Sequence, residues 1–151
     1  MHALARRYIR TAIGFLFLGL AYGGWLLARR ELSGIWPSPY QVSAHAHAVG
    51  IGFVMFLILG VALWLFPRPA RGDTRYRPRR AAAAWWLLAP ATLVRFAGEA
   101  TRPSLPAGWL GWVILAAGLA QILGFALYFH TMWTRIRPVG SHLREKKGER
   151  F

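Results

Sequence analysis

Four long apolar runs separated by short polar and basic segments set the pattern of this chain. The clearest is 48–66, nineteen positions without a charge, closed by Pro67 and Arg68. At helical rise such a run covers about 28 Å, close to the hydrocarbon thickness of a bilayer. The others are 11–28, ending at Arg29 and Arg30; 81–99, with Pro90 in its middle as a kink position; and 108–133. Ser38 followed by Pro39 reads as an N-cap and first helical position, so the second helix starts ahead of its apolar run and covers 39–66. The pattern predicts an all-α protein: an integral membrane four-helix bundle forming one domain over 1–134, with a basic tail at 135–151. A basic lead before an apolar run is also the layout of a signal peptide. Here the run is long enough to span and ends in two arginines, without a small-residue cleavage site, so it reads as a retained first helix.

Composition sharpens this picture. The chain is 56% hydrophobic, with eight Trp and nine Phe, and its net charge is +14. In a soluble domain that charge would point to nucleic acid. The Lys and Arg residues instead fall between the apolar runs, as membrane flanks do, which argues against a nucleic-acid partner and for the lipid bilayer. Three lie ahead of the first run, six between the second and third, and six in the tail, whereas the two remaining loops hold only Arg29, Arg30 and Arg102. The positive-inside rule then predicts both termini in the cytoplasm. The Arg-, Ala- and Gly-rich composition suggests a bacterial chain and hence the inner membrane. Cysteine is absent, which removes disulfides, thiolate metal sites and iron–sulfur clusters. Five acidic residues, mostly in loops, leave little for hydrolytic acid–base catalysis.

The candidate chemistry lies at the start of the second helix. His45 and His47 sit about two turns inside it, where the helix leaves the headgroups on the outer side. Ionisable groups at that level are costly and mark function by default. At i and i+2 the imidazoles lie about 200° apart and cannot grip one metal ion together. His2 and His142 belong to the opposite side, and His130 lies roughly 30 Å of helical rise below the outer surface. A haem on either histidine would be five-coordinate, take a non-His sixth ligand, or share a second copy of the chain, with His45 of one copy and His47 of the other. The competing reading is structural, with both imidazoles hydrogen-bonded to headgroups and backbone. Arg95 is the one charge well inside an apolar run. It either pairs with a haem propionate, together with Arg102, or pairs with Glu99 one turn on.

The stretch HAHAVGIGFVMFLILGVALWLFPRP resembles the histidine-bearing second helix of the haem-copper oxidase superfamily, which includes cytochrome c oxidase catalytic subunits and nitric oxide reductases. The shared features are the early His, Gly50 and Gly52, the Phe-rich middle, Gly60 and the closing Phe66-Pro67-Arg68. LAQILGFALYFHTMWTRIRP, at the end of the fourth helix, is similar to small four-helix proteins described as oxidase subunit I-like. The resemblance implies haem b held by His45 or His47, with copper the lesser alternative, and an oxidoreductase role in electron transport or in handling O2 or NO. It also implies a respiratory oxidase or nitric oxide reductase as partner, while the shortage of outer-side histidines is what predicts a homodimer with haem near its interface. The large catalytic subunits have twelve or more helices and further histidines, so oxygen or nitric oxide reduction does not carry over to this chain. The alternative expectation is a haem-free accessory or assembly subunit of such an oxidase.

Overall fold

The computed structural model describes residues 3–67, 74, 76–137, 140, 143, 147 and 148. His2, His142, Arg68 and several residues of the arginine-rich loop and of the tail lie outside the described residues. The described chain is all-helical, and four of its helices are long and apolar enough to cross a membrane. They are α1 (Ala3–Ser33), α2 (Pro39–Leu65), α3 (Pro78–Thr101) and α4 (Gly108–Met132), the last closing in a 3-10 turn, Trp133–Arg135. This is a membrane-spanning helical protein.

The first helix begins at Ala3, well before the apolar run at Thr11. The basic lead extends it because Ala5, Tyr8 and Ala12 recur at helical spacing and are fully buried, while Arg6 and Arg7 point outward. The start of α2 is pinned by a capping box. Ser38 accepts from the Gln41 amide at 3.3 Å, and the Gln41 side chain accepts from the Ser38 amide at 2.9 Å, with Pro39 in the first turn.

From His47–Met55 the second helix widens into a π-helix before returning to α geometry at Phe56. Such i→i+5 stretches are rare and tend to mark functional positions. This one adjoins the tightest part of the α1–α2 interface. A Cβ on Gly52 would stand 2.5 Å from the Phe15 ring, so only glycine lets the two backbones approach here.

Near the end of the bundle that carries Tyr8, three buried rings pack together, with Tyr8 centred 5.5 Å from Phe56 and 5.7 Å from Tyr128. Each tyrosine hydroxyl reaches a carbonyl on another helix, Tyr8 to Ala81 at 2.9 Å and Tyr128 to Leu59 at 2.6 Å. Arg135, which the charge pattern assigns to the tail, is buried at the same end. It donates to the carbonyls of Leu63, Phe66 and Pro67 at 3.1, 2.8 and 2.8 Å, and stacks over Tyr76 at 4.7 Å. These carbonyls lie in the last turn of α2 and in the two residues just past it, where helical backbone runs out of its own donors and the helix dipole favours a cation. Arg135→Ala should therefore cost about 2–4 kcal/mol through the lost charge-assisted hydrogen bonds. The check is thermal unfolding in detergent followed by circular dichroism, and an unchanged midpoint would show that water serves these carbonyls equally well.

Candidate functional site

His45 and His47 stand on the same helix but against different neighbours. The capping box sets where α2 begins, and the helical turn then sends His45 toward α1 and His47 toward α3. The His45 Nδ1 lies 3.1 Å from the Gly19 carbonyl oxygen. Because a carbonyl only accepts, Nδ1 must carry the proton, which leaves Nε2 with its lone pair in the neutral ring. The ring lies against Gly23, where a Cβ would come within 2.6 Å of its Cε1. Glycine at that place on α1 is what makes the seat.

His47 is anchored by the same nitrogen. Its Nδ1 is 2.8 Å from the Ser43 carbonyl oxygen and 3.0 Å from Glu99 Oε2. Both are acceptors, so again Nδ1 donates and Nε2 keeps the lone pair. A carboxylate behind an imidazole N–H is the arrangement that orients metal-bound histidines and raises their basicity. It is equally a plain buried hydrogen bond.

Glu99 joins His47 to a longer chain of polar side chains. Its Oε1 accepts from Arg95 Nε at 3.0 Å, and Arg95 Nη1 donates to Gln121 on α4 at 3.0 Å. The Gln121 amide donates to Thr92 Oγ1 at 3.0 Å, and Thr92 donates to the Leu88 carbonyl at 2.8 Å. Glu99, Gln121 and Thr92 are buried. Burying charge and amide inside an apolar bundle costs free energy unless every group is partnered, and here each is. Gly118 on α4 lets the guanidinium lie close, since a Cβ there would stand 3.3 Å from Arg95 Nη1.

Arg95 forms the pair with Glu99, and Gln121 takes a further donor. Arg102 donates to the Ala107 carbonyl in the α3–α4 loop and sits over the Tyr40 ring at 5.9 Å. Both arginines are thus engaged by protein groups. His130 is exposed in the last turn of α4, at the other end of the bundle from His45.

Sequence reasoning missed Glu99 as a bridge to His47, and it missed Gln121 and Thr92 altogether. A signal for Gln121 was present: it is the one amide in the apolar run of α4, and membrane helices use such groups to bond one another. No signal in the sequence singles out Gly23 over its neighbour Gly24, because both look like generic small residues.

As haem ligands the histidines fit in one respect: each ring is locked through Nδ1, which leaves Nε2 as its ligating atom. They face different helices, so one chain supplies one imidazole to one face. Among the described residues no group of three or more His, Cys, Asp or Glu is placed to hold a bare metal ion. No family model, curated protein or solved structure matches the chain.

Proposed function

We propose that this protein is a membrane b-type haem protein of electron transfer or diatomic-gas handling, akin to a fragment of the haem-copper oxidase catalytic subunit. The observation that carries the reading is the locking of Nδ1 on both histidines, above all of His45 on the Gly19 carbonyl in a seat that glycine leaves open. An axial ligand needs a fixed ring and a free Nε2 lone pair. The bound haem would supply reversible one-electron chemistry, with iron tuned by axial identity and burial. His45 holds and orients; Gly23 leaves room for its ring; Arg95 balances Glu99 and so stabilises the wall behind His47.

The same reading places the chain in a bacterial inner membrane with both termini cytoplasmic, on the distribution of its arginines. A homodimer supplies the second imidazole that one chain does not direct to the same face. The second reading, a haem-free accessory subunit beside a larger respiratory oxidase or nitric oxide reductase, draws support from His47, whose Nδ1 bonds fit a purely structural role.

The visible spectrum of the detergent-purified protein, oxidised and dithionite-reduced, tests the proposal. We expect a sharp reduced α-band in the wild type that disappears in His45→Ala. Loss in His47→Ala as well favours the shared dimer site. A broad high-spin spectrum that shifts with CO favours an open coordination position and gas binding. A colourless wild type after haem supplementation rejects the haem and leaves the accessory subunit.

A further inference from the structure

A cleft of about 510 Å³ opens beside the polar chain, bounded by Ile51 of α2, Arg95 of α3 and a long face of α4. Its walls are apolar, among them Ile114, Leu119 and Ile122, and its polar lining includes Arg95 and Gln121. A pocket of that size, apolar with a few converging polar groups, suits a small molecule more than ordered water.

Three features narrow the occupant. Leu119 and Ile122 are about half or more exposed, so in a bilayer the mouth faces lipid and the ligand arrives through the membrane. Arg95 is already balanced by Glu99 at 3.0 Å, so an anionic head would leave the site with uncompensated negative charge in an apolar setting. A neutral hydrogen-bond acceptor meets no such cost. The third feature is depth. Gln121 lies 13 residues from the start of α4 at Gly108, about 20 Å at helical rise, and so near mid-helix. A phospholipid headgroup cannot sink that far without losing its hydration. A neutral carbonyl-bearing ring on a hydrocarbon tail can.

We propose that the cleft is a binding site for a lipid-soluble quinone, its ring carbonyl held by Arg95 and Gln121 and its tail lying along α4 toward the lipid. This goes beyond the haem reading and does not depend on it, because binding is read from the quinone itself.

The probe is a decyl-tailed benzoquinone, incubated with the purified full-length chain in detergent and quantified by its ultraviolet absorbance after free probe is removed. The expected result is saturable binding at one molecule per chain, undiminished by a tenfold excess of phosphatidylethanolamine. Ile122→Trp, which fills the cleft without touching the polar chain, should weaken binding at least tenfold, and Gln121→Leu should do the same. Leu123→Trp, an equally exposed position of α4 that does not line the cleft, should bind as the wild type does. Non-saturating uptake that is equal in wild type and Ile122→Trp overturns the proposal. Displacement by phosphatidylethanolamine also overturns it and makes the cleft a lipid seat.

Discussion

Glu99→Leu should destabilise the bundle by about 3–5 kcal/mol, among the largest effects open to a single substitution here. The carboxylate is 3% exposed and holds Arg95 and His47 at 3.0 Å each. Without it a guanidinium is left without its counter-charge inside an apolar bundle, and the His47 ring nitrogen keeps only the carbonyl and hydroxyl of Ser43. Arg95→Leu should cost a similar amount for the mirror reason, a buried carboxylate without its cation. The pair of changes made together, Arg95→Leu with Glu99→Leu, should recover most of the loss, because apolar replacement of a buried ion pair is often close to neutral. Unfolding in mixed detergent, followed by circular dichroism on the wild type, both single variants and the double variant, supplies the cycle. Additive losses would mean that the two residues do not act as a pair.

The second large effect separates two adjacent glycines. Gly23→Ala places a Cβ 2.6 Å from His45 Cε1, a distance the ring cannot tolerate, so the imidazole must leave the Gly19 carbonyl. Gly24→Ala meets nothing within 4 Å and replaces a poor helix former with the best, a gain of up to about 1 kcal/mol. On the haem reading, Gly23→Ala should therefore lose the reduced α-band while retaining its helical circular dichroism, and Gly24→Ala should match or exceed the wild type in both. The measurement is the reduced spectrum beside the melting curve. Equal behaviour of the two variants would remove Gly23 from the site.

What could be read ahead of the structure was set by periodicity and length. The four spans follow from apolar runs long enough to cross a bilayer, and the Ser38-Pro39 start of α2 from side-chain chemistry local to five residues. The chain gave less warning of anything that depends on azimuth. Ala5, Tyr8 and Ala12 extend α1 into a stretch that its arginines mark as a flank, because the charges project away while the small residues pack. The π-helix at His47–Met55 has no composition of its own, since Gly50 and Gly52 fit many helix interiors. Arg95 and Glu99 at i and i+4 were legible as a pair, yet their bonds to His47 and Gln121 join helices brought together only by packing. Arg135 misled for the opposite reason: a basic residue just past a membrane helix ordinarily meets headgroups, and this one turns inward to a neighbouring helix end.

That inward turn has a bearing on how the protein is made. The Leu63, Phe66 and Pro67 carbonyls receive their donor from a residue as many as 72 positions later in the chain. Tyr128 reaches Leu59 across 69 positions in the same way. During synthesis α2 thus enters the membrane with its final turn open, and it stays so until the ribosome has delivered all of α4. A nascent chain halted before Tyr128 would hold α1, α2, α3 and most of α4 without these latches. The seal on the second helix is a late step of biogenesis, applied by the fourth.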